Sequence, residues 1–155
     1  YMIKRVVALP KDTITFYLTH VSENDLYYYY EIKVTKPNGE QIELNESSYI
    51  NEPMYLVKGY NYSGLLNQIA QNLLKGGDDL DNRKFSITIS ENCYFVLGDN
   101  RNHSLDCRDF GEVSSADICG DVRIHVKYGE SIWIALFRKI KSYLSVNYLN
   151  LKENL

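Results

Sequence analysis

Cysteine is scarce: Cys93, Cys107 and Cys119 are the only three in 155 residues. They cannot all pair, and none stands in a Cys-x-x-Cys arrangement. This argues against both a disulfide scaffold and a structural zinc site. A dominant charge sign is also missing. With 17 basic and 20 acidic residues and a formal charge of −3, the chain has no global basic field, so nucleic acid is not an expected partner. No apolar run approaches the roughly 20 residues of a membrane-spanning helix; Ile132 to Phe137 is among the longest. No secretory leader pattern opens the chain, and no internal repeat is present. Hydrophobic residues make up 45% of the chain, enough for one core and too few residues for two large domains. The fourteen tyrosines favour strands over helices.

The order of segments predicts a strand-rich body. Residues 1–9, 13–21 and 26–35, with Tyr27 to Tyr30 in a row, read as strands separated by the turns at Pro10-Lys11-Asp12 and Ser22 to Asp25. Pro37-Asn38-Gly39 marks a hairpin that continues through Gln41 to Leu44. Residues 45–61 are mixed. The period then changes: Leu65, Leu66, Ile69, Leu73 and Leu74 share a helical stripe, with Ser63 as N-cap and Gly76-Gly77 as the stop. Phe85 to Ile89, Cys93 to Leu97 and Val122 to Val126 return to strand patterns.

The tail differs. Ile132, Trp133, Leu136, Phe137, Ile140, Tyr143 and Leu144 recur at helical spacing. Arg138, Lys139, Lys141 and Lys152 meet no acidic residue between Ser131 and Lys152. Such a helix either packs on the body or lies in a bilayer interface beside anionic lipid heads.

The densest polar stretch, Gly98 to Gly111, follows an apolar strand. Asp99, Arg101, Asp106 and Arg108 can form alternating ion pairs that hold this loop in one shape, and a rigid loop at a strand end is a common place for functional residues. The loop resembles the signature of bacterial type I signal peptidases, GDNRxxSxDSRxxGxV. It reads Gly98-Asp99-Asn100-Arg101, then Ser104, then Asp106-Cys107-Arg108, then Gly111 and Val113. The opening Lys4-Arg5-Val6-Val7-Ala8-Leu9-Pro10-Lys11-Asp12 resembles that family's second box, KRVxGLPGD. Cys107 replaces the usual serine, and Ala8 and Lys11 replace glycines. Lys11 puts a charge in a turn expected to bend freely.

The resemblance implies a mainly β fold of coiled antiparallel sheets. It implies a catalytic domain at 1–130, with 13–92 as a variable β-rich insertion holding one short helix, followed by an amphipathic tail at 131–155. It also implies amide hydrolysis by a Ser–Lys dyad, with no metal and no cofactor. A serine hydroxyl needs a base to take its proton. Lysine, with a reference pKa of about 10.4, serves only when desolvation favours its neutral form. Lys4 matches the general base, and Met2, Ile3, Val6 and Val7 are expected to wall it. Ser104 matches the serine that orients the lysine. Asp106 matches the nearby acid and Arg108 its partner, while Asp99 and Arg101 brace the loop. Arg5 is assigned no chemical role. Tyr1, Met2 and Ile3 match the strand beside the substrate, whose extended end would add to that edge. His103 and His125 match no catalytic position, and neither does Cys107.

The family's nucleophile lies in a box upstream of the lysine box, so residues preceding Tyr1 are expected to carry it, and this fragment alone is expected to be inactive. The implied function is a membrane-associated serine endopeptidase on the extracytoplasmic side of the cytoplasmic membrane. Its expected partners are the signal peptides of exported preproteins and the lipid surface. The alternatives are a non-catalytic signal-peptidase-like assembly or scaffold protein, and a narrow-substrate peptidase that processes pilins.

Overall fold

The structure, a computed structural model, describes residues 2–42, 44, 46, 49–50, 52–75, 80–122 and 131. The chain divides into two compact units, Tyr1–Ile118 and Cys119–Leu155. The first holds every helix and strand among the described residues. The tail segment 132–155, Tyr1, Gly76-Gly77 and the strand expected at 122–126, beyond its first residue, lie outside the described residues.

Two antiparallel sheets and two short helices build the first unit. Strands β1 (Arg5–Ala8), β2 (Thr13–Val21), β3 (Tyr27–Thr35), β4 (Gln41–Ile42) and β5 (Met54–Val57) precede helix α1 (Gly64–Leu73). Strands β6 (Lys84–Thr88) and β7 (Cys93–Leu97), helix α2 (Cys107–Phe110) and strand β8 (Val113–Ser114) follow. The larger sheet runs β4-β3-β2-β6, with β5 also paired to β3; the smaller runs β1-β7-β8.

The alternation in β2 and β3 explains their pairing. Ile14 faces Val34, Phe16 faces Ile32 and Leu18 faces Tyr30 across the ladder, and all six are buried. One inward face thus fixes the register, because a one-residue slip would turn this whole set to solvent. Phe16 joins the sheets: its ring lies 6.2 Å from Tyr30 in its own sheet and 6.1 Å from Phe95 of β7 in the other. Helix α1 buries Leu65, Ile69, Ala70 and Leu73, the stripe expected from the sequence, with Leu66 and Leu74 half-buried at its border. Ser63 is its N-cap, but the Ser63 side chain makes no capping bond. Instead α1 starts hard against α2: a side chain at Gly64, whose φ is +58, would meet the Asp109 carbonyl oxygen at 2.0 Å.

Three local readings change. The mixed segment 45–61 contains β5, which pairs Tyr27–Tyr30 with Val57–Met54. Residues 98–112 are not a plain loop but hold a 3-10 turn at Arg101–His103 and α2. Helix α2 is nucleated by a capping box in which the Asp106 and Asp109 side chains each bond the other's end of the first turn. Lys11 does not stiffen its turn. It adopts φ 69, the left-handed conformation that glycine would take more readily. The turn is held by Leu9 N–H on Asp12 Oδ2 at 2.9 Å and Lys11 N–H on the Ile89 carbonyl at 2.9 Å. Lys36 Nζ pairs with the buried Asp12 at 2.9 Å.

The left-handed conformation of Lys11 gives a stability prediction. Lys11→Val should lower stability by about 1–2 kcal/mol, since a β-branched residue is strained there, while Lys11→Gly should leave stability unchanged or higher. Urea denaturation midpoints compare the two variants.

Candidate active site

Lys4 and Ser104 meet although they are 100 positions apart: Lys4 Nζ donates to Ser104 Oγ at 2.6 Å. Sheet pairing brings them together. Arg5 of β1 lies opposite Leu97 of β7, and β7 runs straight into Gly98 and the 3-10 turn that ends at Ser104. Both partners are half-buried. Gly98 forms the floor beneath them. A Cβ there would lie 1.7 Å from Ser104 Oγ and 3.2 Å from Lys4 Nζ, so only glycine leaves the two groups room to touch.

Gly98 is gripped at both ends. Its N–H donates to Asp106 Oδ2 at 3.1 Å, and its carbonyl accepts from Arg101 Nε at 3.1 Å. Asp106 is fully buried. Its carboxylate also takes Arg108 Nε at 2.9 Å, Arg108 Nη2 at 2.8 Å and the Arg108 backbone N–H at 3.2 Å. The Arg108 guanidinium goes on to the Tyr30 hydroxyl at 3.0 Å and the Arg101 carbonyl. Burial works against its charge, but Tyr30 and Asp106 outweigh that, and its pKa is raised above the ordinary arginine value. A carboxylate bonded to an amine would stabilise the ammonium form. Among the described residues no hydrogen bond links Asp106 to Lys4; Arg108 takes the Asp106 charge instead.

One expected ion pair is rearranged. Asp99 does not pair with Arg101. It takes a fork from Arg5 Nε and Nη2, both at 2.8 Å, and Arg5 holds its carboxyl below the usual carboxylate range. The reason is register, since Arg5 opposite Leu97 reaches over the start of the loop. Arg101 turns inward instead, fully buried, and both its terminal nitrogens bond the Glu46 carboxylate. Arg5 is therefore part of the loop's support, although the sequence reading assigned it nothing.

The expected apolar wall around Lys4 is incomplete. Val7 is buried, but Met2 is 62%, Ile3 82% and Val6 48% exposed, because Met2 and Ile3 precede the first paired residue of β1. Tyr1 lies outside the described residues. On the other flank Ser104 lines a cavity of about 390 Å³ with Tyr30, Tyr55, Tyr60, Tyr62 and His103.

Sequence reasoning missed Gly98, Glu46, Tyr30 and Tyr49, whose ring centre lies 3.7 Å from the Arg5 guanidinium carbon, as parts of this arrangement. Gly98 stood inside the quoted signature and was weighed only as a match. Glu46 and Tyr49 lie in a segment without motif or period; the only available signal was that a buried Arg101 needs an acid. Cys107 is fully buried and accepts the Val96 N–H on Sγ at 3.1 Å. Burial pushes its thiol up to about 11, so it is a packing group and not a nucleophile.

Gly98→Ala should cost about 1–3 kcal/mol by overpacking, read from the shift in the urea midpoint. Of the three thiols, the exposed Cys119 should react quickly with a disulfide reagent, and Cys107 only at the rate of unfolding. A timed absorbance assay with single-cysteine variants separates them.

Comparison with known proteins gives the family. The family described as "Signal peptidase, peptidase S26" matches residues 1–127. The chain is similar to Signal peptidase I of Streptococcus pneumoniae serotype 4 (strain ATCC BAA-334 / TIGR4), with 30% identity over 129 residues, 81% of this chain and 60% of that protein. It is also 30% identical over 126 residues to Signal peptidase I of Streptococcus pneumoniae strain ATCC BAA-255 / R6, covering 79% of this chain and 58% of the relative. The chain thus spans less than two thirds of the length of either relative. With the family match over most of its length, and with the residues of both sequence boxes joined in one cluster, the chain belongs to the S26 signal peptidase family of serine endopeptidases.

Proposed function

We propose that this chain is the catalytic body of a membrane-associated serine endopeptidase that removes signal peptides from exported proteins. The observation that carries the reading is the 2.6 Å bond between Lys4 Nζ and Ser104 Oγ. Lys4 is the general base. Ser104 orients its amine without adding charge. The attacking serine hydroxyl comes from a segment upstream of Tyr1, and Lys4 takes its proton as the oxygen adds to the scissile carbonyl. Asp106, Arg108, Asp99 and Arg101 keep Gly98 and Ser104 in place.

The exposed edge at Met2 and Ile3, with Tyr1 before it, is the substrate strand. An extended peptide pairing there supplies main-chain bonds and also covers the apolar side chains left in water. Substrate binding thereby completes the dry wall that Val7 alone does not make, and desolvation favours the neutral amine. The substrate is a signal-peptide end with small residues before the cut. The body works on the extracytoplasmic side of the cytoplasmic membrane. Among the described residues no helix is long and apolar enough to cross a membrane. In this reading residues 1–130 are the catalytic domain, 13–92 its variable insertion and 131–155 a separate tail.

The test is cleavage of an Ala-x-Ala peptide by the full-length protein. Lys4→Ala should lower kcat by about 10²–10⁴-fold, the usual worth of a positioned general base. Ser104→Ala removes a single hydrogen bond and should lower it by about tenfold. Full activity in Lys4→Ala would reject the dyad. No cleavage by the unaltered protein would favour a scaffold role instead.

A further inference from the structure

A closed chain of contacts runs beside the Lys4–Ser104 pair, and two of its members lie in neither sequence box. From the loop, the Asp99 carboxylate takes the Arg5 fork. The Arg5 guanidinium carbon sits 3.7 Å from the centre of the Tyr49 ring. The Tyr49 hydroxyl donates to Glu46 Oε1 at 3.3 Å. Glu46 receives both terminal nitrogens of Arg101, and Arg101 Nε returns to the Gly98 carbonyl at 3.1 Å. Gly98 precedes Asp99, so the circuit closes.

The two ends of this circuit are the two halves of the site. Arg5 is the neighbour of Lys4 on the chain, and Gly98 is the floor under Ser104. The strand pairing of β1 with β7 sets their mean distance, but it starts only at Arg5, so Lys4 itself stands outside the ladder. We propose that Glu46 and Tyr49 are positioning residues for the Lys4–Ser104 contact, clamping the start of β1 to the Gly98–Arg101 segment from outside. The proposal rests on the peptidase reading above.

The Arg101 side chain is fully buried and that of Glu46 is 17% exposed, so an arginine deprived of Glu46 is an uncompensated buried charge and must move. Its Nε bond to Gly98 moves with it. A bidentate carboxylate–guanidinium pair fixes direction as well as distance, which a single bond to the Gly98 carbonyl would not. A cation held over an aromatic ring gives Arg5 a second restraint besides the Asp99 fork. Reacting groups displaced by about 1 Å lose on the order of 10²-fold in rate, so a slack circuit is read in turnover before it is read in substrate binding at Met2 and Ile3.

The experiment uses the full-length protein and two readouts. The first is kcat and KM on an Ala-x-Ala peptide, at a temperature where circular dichroism shows each variant folded. The second needs no activity: competitive acylation of lysines followed by mass spectrometry, with exposed Lys33 as internal standard. Glu46→Ala should lower kcat by about 10- to 100-fold with KM within about twofold. It should also raise the labelling of Lys4 relative to Lys33 several-fold. Tyr49→Ala should do the same more weakly, Glu46→Gln should fall between, and the exposed Glu23→Ala should change neither. Tyr49→Ala carries the test if Glu46→Ala does not fold. Unchanged Lys4 labelling in the folded variants overturns the positioning role, as does raised labelling with kcat intact or a parallel change of kcat and KM. If the unaltered protein cleaves nothing, the peptidase reading fails, and the labelling ratio by itself still decides whether Glu46 and Tyr49 hold Lys4 on Ser104.

Discussion

The buried Asp106–Arg108 pair is the constraint on which the rest of the site depends. A fully buried carboxylate is costly unless every lone pair finds a donor. Asp106 finds four: three from Arg108 and one from the Gly98 N–H. That last bond ties the end of β7 to the first turn of α2. Arg108 extends the same hold to Tyr30 in the larger sheet and to the Arg101 carbonyl. The loop cannot shift without leaving a buried charge unpaired, a loss of about 3–5 kcal/mol, which is comparable to a large part of a domain's stability. The exposed Arg5–Asp99 fork is a different kind of contact. Its side chains are 42% and 45% exposed, and pairs of that kind contribute about 0–1 kcal/mol. Its importance is geometric.

The two sheets divide the labour. The larger sheet and α1 supply most of the buried apolar surface, through Ile14, Phe16, Leu18, Ile32, Val34, Ile69 and Leu73. The smaller sheet buries less and has the Lys4–Ser104 contact at its end. Phe95 against Phe16 couples them. The apolar core and the site thus draw on largely different sheets, joined by contacts such as Phe16 on Phe95 and Arg108 on Tyr30.

Much of the fold was legible in the sequence because it is written in local periods. The alternation of β2 and β3 and the stripe of α1 place those elements within a residue or two. What failed to show was non-local or very short. Met54–Val57 is four residues between Pro53 and Gly59, and it becomes a strand only because Tyr27–Tyr30 offers it a ladder. Val113–Ser114 is too short for any period. Helix α2 was hidden because Asp106 was read only as an ion-pair partner of Arg108, although its spacing of three from Asp109 is that of a capping box. The same bias misassigned Asp99 and Arg101: charges close in sequence invite pairing with each other, while the fold pairs them with Arg5 and Glu46. The pairing of Lys4 with Ser104 came from resemblance, and no spacing rule could have supplied it.

The long separation of Lys4 from Ser104 has a consequence for how such a molecule comes into being. A contact this distant along the chain carries a larger loop-closure entropy than the hairpins between its ends. A nascent polypeptide emerging from the ribosome therefore lacks the amine–hydroxyl bond until well past Gly98. A half-made copy holds only one half of the pair.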